Sequence, residues 1–448
     1  MTSKREQTEL SGAWRAVWRW HFYAGVLVLP FLMLMALTGG LYLFKTEIDG
    51  LAHGRMARVA PAERRVSPDR WIASAEQRSG GRATDLVLPA RTDQAVRVNV
   101  DLTDGGRRTV FVDPHDGRVT GVTSFGGVME TIKGLHSLSA VGGWANYLVE
   151  IVAGWAIVLV ATGLFLWWPR GPGGGVLTLR AAPREGRPFW RDLHAVAGAY
   201  AAAVIAILVV TGMPWSAVWG DRIMGYVRDH GLGRPAPPAV DQAFVHAAHG
   251  QAPAGVGWTM EGMVLPTRQA LPRGVAALVE AAARAGLARP YVLSLPQGDA
   301  AATAANQPDR VEDTRILYLE PHSGRILADV GYEQFGPGAK AFEWGIAVHQ
   351  GTQYGWLNRY LMLAGCIAIW VLAISGLVMW WKRRPPKLSA ARLGAPVAPP
   401  GARVRAAVLG LVLPLAVLYP LTGVSLVIAL VLDRLVQRLL ARLRRRPA

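Results

Sequence analysis

Five long apolar runs, separated by polar segments, dominate the hydrophobicity pattern of the chain. They are Phe22–Phe44, Ile151–Trp168, Ala195–Trp219, Tyr360–Trp381 and Ala406–Leu432. A helix needs about 20 apolar residues to cross a bilayer, so each run is a candidate membrane span. The first run is too long for a signal-peptide core and has no small-residue cleavage site after it. We therefore expect it to stay in the chain as an anchor of an integral membrane protein.

The first long polar segment, 45–147, has an α+β pattern. Ser67-Pro68 is a helix start and Gly80-Gly81 a helix stop. The extended runs that follow are Asp85–Leu88, Ala95–Val100, Thr109–Val112 and Arg118–Val122. The last two flank the turn Asp113–Gly117, whose proline and glycine are typical of a hairpin.

The second polar segment, 220–355, repeats this plan. Val275–Arg284 alternates at helical spacing, and strand-like runs occur at Tyr291–Leu295 and Arg315–Leu319. Glu320–Ile326 then repeats Asp113–Val119 position by position. The sequence thus predicts a duplicated α+β module.

The duplication extends into the apolar runs, where histidines recur at fixed spacings. His21 and His194 are each followed by Gly after 4 residues and by Thr-Gly after 17 and 18. His136 and His349 are each followed by Thr-Gly or Ser-Gly after 26 and 27 residues and by Trp-Trp after 31 and 32. The order helix, module, helix therefore occurs twice, with a C-terminal hydrophobic segment after it.

The predicted fold class is a membrane α-helical bundle with two α+β modules, built by internal duplication. The expected segments are 1–44 (N-terminal segment and span 1), 45–147 (module 1), 148–168 (span 2), 169–193 (loop), 194–219 (span 3), 220–355 (module 2), 356–381 (span 4), 382–405 (basic loop), 406–432 (hydrophobic segment) and 433–448 (Arg-rich tail).

The distribution of charge predicts the orientation of these segments. Lys and Arg number 48 against 31 Asp and Glu. The excess lies in 1–21, 169–193, 382–405 and 433–448, beside the apolar runs. A nucleic-acid-binding protein would carry a basic face on a folded domain instead, so we exclude nucleic acid as a partner. The positive-inside tendency puts the N-terminus in the cytoplasm and both modules outside, in the periplasm of a bacterium. It leaves the side of the Arg-rich tail open.

Four histidines at membrane faces indicate a cofactor, because a histidine beside a span is costly unless it has a partner. Two imidazoles on either side of an iron are the ligands of a b-type haem. His21 and His194, the first pair, lie at the cytoplasmic face, and His136 and His349, the second pair, at the outer face. An isolated pair is too small for a closed zinc site. A helix-end histidine that binds a carbonyl or a headgroup is the alternative.

Other residues fit the same interpretation. The single cysteine, Cys366, excludes haem attachment through Cys-x-x-Cys-His, so we expect two noncovalent haem b groups. Gly25 and Gly198, four residues after a ligand, leave room for a flat macrocycle, although glycines also allow close helix packing. Basic residues positioned to pair with haem propionates, or to anchor at the interface, are Arg19, Arg191, Lys133 and Arg359.

Over about residues 10–390 the chain resembles the PepSY-associated transmembrane proteins of bacterial iron uptake. The resemblance rests on Leu135-His136-Ser137, Thr162-Gly163 through Trp167-Trp168-Pro169-Arg170, Trp190-Arg191 to His194, and Ser375-Gly376 through Trp380-Trp381-Lys382-Arg383. It implies a di-haem inner-membrane reductase of the ferric-siderophore reductase type, with PepSY modules in the periplasm.

A mechanism consistent with this resemblance passes electrons across the bilayer. A cytoplasmic flavoprotein or quinol would reduce the haem of the first pair. The haem of the second pair, His136 and His349, would be the catalytic centre that reduces a ferric siderophore or another Fe(III) chelate. Hard siderophore oxygens hold Fe(II) poorly, so reduction releases iron. Two alternatives stay open: a non-redox regulatory scaffold, and a transporter, against which the absence of midplane charge argues.

Several other polar residues rank lower. His246 and His249 are spaced for a metal but have no third ligand evident. Glu150 either carries protons or lies near the interface. His115 and His322 occupy turn tips, where we expect exposure to solvent.

Overall fold

The structure is a computed structural model of the 448-residue chain. It describes residues 4–63, 65–169, 177–238, 274–295, 300–321, 323–383, 410, 414 and 417–444. The chain forms two compact units. The helical unit comprises Met1–Gly40, Gly134–Ile223 and Arg359–Ala448, and the sheet unit comprises Leu41–Lys133 and Met224–Asn358.

Within the described residues, the helices in chain order are α1 (Lys4–Tyr42), α2 (Lys45–Ala57), α3 (Pro68–Ser79), α4 (Gly127–His136), α5 (Ala145–Trp167), α6 (Arg187–Gly212), α7 (Val218–Asp229), α8 (Gly274–Arg284), α9 (Pro337–His349), α10 (Gly355–Trp381) and α11 (Pro420–Arg444). The strands are β1 (Arg82–Leu88), β2 (Val96–Asp101), β3 (Arg107–Val112), β4 (Val119–Ser124), β5 (Tyr291–Ser294), β6 (Ala302–Asn306), β7 (Arg315–Leu319) and β8 (Ile326–Gly331).

Among the described residues, four helical stretches are long and apolar enough to cross a membrane: Trp14–Tyr42, Ala145–Trp167, Arg187–Trp215 and Gly355–Trp381. They coincide with the first four apolar runs of the sequence. The chain is therefore a membrane protein whose helices accompany an α+β region.

The fifth apolar run contains the start of α11, at Pro420, and this helix packs against α1 and α5. Leu426 is buried in a cluster with Ala24 and Trp155. Asp433, further along α11, forms an ion pair with Arg19, which precedes Ala24 in α1. Because increasing residue numbers in α11 meet decreasing numbers in α1, the two helices are antiparallel. The end of α11 thus lies on the side where α1 begins.

All eight described strands form a single antiparallel sheet in the order β4-β3-β2-β1-β5-β6-β7-β8. Strands β1 and β5 join the halves, with Leu86 opposite Leu293 and Leu88 opposite Tyr291. The sequence predicted two modules, and the structure shows that their strands share one sheet. Strand β6 escaped prediction because its residues, Ala-Thr-Ala-Ala-Asn, include only one β-branched side chain and no aromatic one.

Helices α3 and α8 supply apolar side chains to the core of the sheet unit. Trp71 of α3 and Leu278 of α8 are buried together with Leu86 and Leu293 of the two joining strands. The predicted helix signals are confirmed, since Ser67 caps α3 and Gly80 ends it at φ 70°.

A charged side chain is buried within this sheet. Asp85 of β1 is 0% exposed. Asn99 Nδ2 donates to Asp85 Oδ1 at 2.5 Å, and Thr84 Oγ1 donates to Asp85 Oδ2 at 3.1 Å. Burial raises the pKa of the Asp85 carboxyl to about 6, although the Asn99 hydrogen bond opposes the shift.

Candidate functional site

The structure brings the first pair of histidines together. His21 of α1 and His194 of α6 are partly buried, with ring centroids 6.2 Å apart and ring planes at 89°. A metal–imidazole bond is about 2 Å long and the ring centre lies roughly 1 Å further on, so two axial imidazoles on one iron have centroids about 6 Å apart. The observed separation matches that arrangement.

A hydroxyl of a neighbouring helix lies beside each of these imidazoles. His21 Nδ1 is 2.9 Å from Thr162 Oγ1 of α5. His194 Nδ1 is 2.9 Å from Ser375 Oγ of α10. Both hydroxyls belong to the Thr-Gly or Ser-Gly pairs of the sequence repeat.

His136, of the second pair, has the same kind of neighbour. Its Nδ1 lies 3.1 Å from Thr38 Oγ1 of α1. Burial lowers the pKa of His136, which favours the neutral imidazole that binds metals. His349 ends α9 in the sheet unit and is partly buried. The pairing of His136 with His349 stays a prediction.

Helix α1 takes part in two imidazole–hydroxyl pairs, in one through its histidine and in the other through its threonine. His21 of α1 meets Thr162 of α5, and Thr38 of α1 meets His136, which precedes α5. His21 and Thr38 are separated by 17 residues, or about 25 Å along a helix. The two imidazole sites thus lie near opposite ends of a membrane-spanning helix.

The glycines beside the first pair lie in open surroundings. A Cβ added at Gly25 would meet only Leu159 Cδ2, at 3.9 Å, and one at Gly198 only Leu372 Cδ2, at 3.5 Å. A Cβ at Gly365, by contrast, would lie 2.7 Å from Val204 Cγ1. Close helix packing therefore explains Gly365 but not Gly25 or Gly198, whose faces leave room beside the imidazoles.

The basic residues expected near haem propionates have acidic neighbours or lie at helix ends. Arg19 forms its ion pair with Asp433 of α11. Arg191 Nη2 is 3.0 Å from Asp192 Oδ1, and Lys133 Nζ is 3.2 Å from Glu130 Oε1. Arg359 lies half-buried near the start of α10. Their role toward propionates stays a prediction.

Glu150 has a structural task that the sequence left undecided. Its side chain is fully buried, and Oε2 accepts hydrogen bonds from the backbone N–H groups of Val218 at 2.8 Å and Trp219 at 3.0 Å. A carboxylate at the N-terminus of a helix satisfies N–H groups that lack partners within the helix. Glu150 therefore ties α5 to the start of α7.

The expectation that His115 is exposed is wrong. The residue is only 9% exposed, and its Nε2 lies 3.4 Å from the Thr92 carbonyl oxygen. Within the turn, its backbone N–H donates to Asp113 Oδ1 at 2.9 Å. The turn is thus folded against the preceding loop. His246, His249 and His322 lie outside the described residues.

A metal site can also be built from protein ligands alone, which takes several side chains of His, Cys, Asp or Glu. Among the residues that the structure describes, no group of three or more His, Cys, Asp or Glu could hold a metal ion. A pair of imidazoles suits haem, because the porphyrin supplies the other four ligands of the iron.

Sequence reasoning missed the role of the hydroxyls. Their signal was present, because Thr38, Thr162 and Ser375 stand at repeated spacings from the histidines. The helix that each hydroxyl contacts was not deducible, since Thr162 and His21 are 141 residues apart.

Comparison with known proteins identifies a relationship over most of the chain. A family model described as the PepSY-associated TM region matches residues 18–383. The match includes all four histidines of the two pairs and ends before α11. No curated protein matches the chain.

Proposed function

The chain belongs to the PepSY-associated TM family, and we propose that it is a di-haem membrane reductase that passes electrons across the bilayer to a ferric siderophore or another Fe(III) chelate. The observation that carries the proposal is the 6.2 Å separation of the His21 and His194 rings. The open space at Gly25 and Gly198 supports it independently.

In this proposal the first pair holds one haem b and the second pair, His136 and His349, holds the other. Haem iron alternates between Fe(III) and Fe(II), and so supplies one-electron transfer. Helix α1 contributes to both sites, because it carries His21 and also Thr38, the neighbour of His136. The chain itself would hold the imidazoles near opposite ends of the spans.

Orientation and partners complete the proposal. We place the protein in the bacterial inner membrane, with its N-terminus in the cytoplasm and its duplicated PepSY-like modules in the periplasm. The positively charged segments at 1–21 and 169–193 support this orientation. The electron donor is then a cytoplasmic flavoprotein or quinol, and the Fe(III) chelate is reduced on the other side.

An absorption spectrum of the purified full-length protein tests the haem proposal. We expect a Soret band, a sharp α-band after reduction, and a haem-to-protein ratio near two. Acid-acetone should extract all the colour, because the haem is noncovalent. His230→Ala is the matched control: His230 is exposed and lies 2.9 Å from the Tyr226 carbonyl oxygen, so its loss should leave the spectrum unchanged. A colourless protein after expression with ample haem would favour the non-redox scaffold.

A further inference from the structure

The three imidazole–hydroxyl pairs share a second short contact. Each hydroxyl oxygen also lies near the carbonyl oxygen of the residue four positions earlier in its own helix. The distance is 2.6 Å for Thr162, 2.6 Å for Ser375 and 2.7 Å for Thr38. Every hydroxyl is therefore placed between a carbonyl oxygen and an imidazole nitrogen.

A count of protons assigns the direction of these hydrogen bonds. A hydroxyl has one proton, and a carbonyl oxygen has none to offer. The hydroxyl must therefore donate to the carbonyl oxygen, and the proton between hydroxyl and imidazole must belong to Nδ1. A neutral imidazole with its proton on Nδ1 has its lone pair on Nε2.

We infer that Thr162, Ser375 and Thr38 are positioning residues, each of which fixes its histidine as the Nδ1–H tautomer and reserves Nε2 for a metal. The inference rests on the proposed haem function and adds a tuning role to it. A hydrogen bond accepted from the distal nitrogen of a ligating imidazole makes that imidazole more basic. A more basic ligand stabilises Fe(III) and lowers the reduction potential of the haem.

The glycine after each hydroxyl is part of the same arrangement. A Cβ added at Gly163 would lie 3.2 Å from His21 Cε1, and one at Gly39 would lie 3.2 Å from His136 Cε1. At Gly376 the distance to His194 Cε1 would be 3.7 Å. A side chain at the first two positions would press the imidazole away from the hydroxyl. This contact explains the glycines that follow Thr38 and Thr162.

The tautomer is measurable without haem, by nitrogen-15 NMR of histidine-labelled full-length protein prepared in the haem-free form. A His21→Ala spectrum identifies the signals of His21. In the wild type and in Thr162→Ser we expect His21 to be protonated at Nδ1. In Thr162→Val, which keeps the shape of the side chain but removes the hydroxyl and leaves the Leu159 backbone as the remaining acceptor, we expect the share of the Nδ1–H tautomer to fall.

The haem-loaded protein supplies the second measurement. Thr162→Val should bind haem at the first pair about 10- to 100-fold more weakly and should raise its midpoint potential, as loss of a partner of a ligating histidine does elsewhere. Thr162→Ser should restore both values. Ser425→Ala is the matched control, because Ser425 accepts from Trp155 Nε1 at 2.9 Å in the same unit. It should leave both values unchanged.

The outcomes separate this inference from the proposed function. A wild-type protein without haem defeats the proposed function, and the NMR measurement then decides the tautomer question alone. The inference is overturned if the wild type binds haem and Thr162→Val has the same haem affinity, midpoint potential and His21 tautomer as the wild type. That result would leave the proposed haem function intact.

Discussion

The imidazole planes of His21 and His194 are perpendicular, at 89°, with their centroids 6.2 Å apart. When two axial imidazoles are perpendicular, each interacts with a different d orbital of the iron. The two orbitals are then close in energy. The oxidised low-spin haem that we propose for the first pair should therefore give a strongly anisotropic EPR signal. A signal typical of parallel imidazoles, lost in His194→Ala, would contradict this prediction.

Replacement of one histidine of a pair should remove the haem proposed for that pair and leave the other haem in place. His21→Ala and His194→Ala should abolish the same spectral component, and His136→Ala and His349→Ala should abolish the other. The check is a redox titration of each variant, followed at the α-band. If His21→Ala and His136→Ala deleted one common haem while His194→Ala spared it, the proposed pairing would be wrong.

Electrons should pass from the haem of the first pair to the haem of the second pair and then to the Fe(III) chelate. In vesicles with an Fe(II) indicator on the side of the modules, His349→Ala should keep the first haem reducible from the other side but release no Fe(II). His194→Ala should block entry of electrons and should regain chelate reduction when dithionite is supplied directly at the module side. Equal Fe(II) release by wild type and His349→Ala would return us to the scaffold hypothesis.

The buried Asp85 should make the sheet unit sensitive to pH. Its pKa is raised in the folded protein to about 6 from an ordinary value of 3.8. Its contribution to stability is therefore fully present below pH 3.8 and is lost as the pH rises through 6. A shift of about two units corresponds to roughly 3 kcal/mol in the free energy of unfolding.

Hydrogen exchange of the β1 amides in full-length protein, compared between Asp85→Asn and wild type, measures this effect. The protection of the variant relative to wild type should increase from pH 4 to pH 6. Glu280→Gln is the control, because the Glu280 side chain is 69% exposed in its ion pair with Arg284. If the difference in β1 amide protection between wild type and Asp85→Asn did not vary with pH, Asp85 would titrate normally.

Both termini should lie on one side of the membrane, because α11 is antiparallel to α1 and Asp433 pairs with Arg19. Antibody access to epitope tags fused to each end, in sealed vesicles, measures this. A tag inserted at the exposed Asp104-Gly105 turn should report the opposite side. Tags at the two termini that are accessible from different sides would contradict the direction of α11.

The length of the apolar runs was enough to predict the four spans, and the caps around α3 were visible in Ser67-Pro68 and Gly80. These features depend on residues close together in the chain. The four candidate histidines were visible because the spacing that follows His21 recurs after His194, and the spacing that follows His136 recurs after His349.

Features that depend on contacts between distant segments were not predictable. The burial of His115 depends on a loop that reaches back to Thr92, and Glu150 caps a helix that begins at Val218. The contact of Thr162 with His21 similarly requires knowledge of which helices pack together. The repeated spacing indicated that Thr162 matters, but not which atom it meets.

The junction of β1 with β5 has a consequence for biosynthesis. The ribosome makes Leu88 long before its partner Tyr291, and α5 and α6 must be inserted in between. Until β5 emerges, the edge of β1 presents unpaired backbone groups, which is a recognised hazard for aggregation. The first half of the nascent chain therefore has to be shielded while translation continues, and a messenger truncated after α6 should yield a product that is degraded or aggregates rather than a stable half-protein.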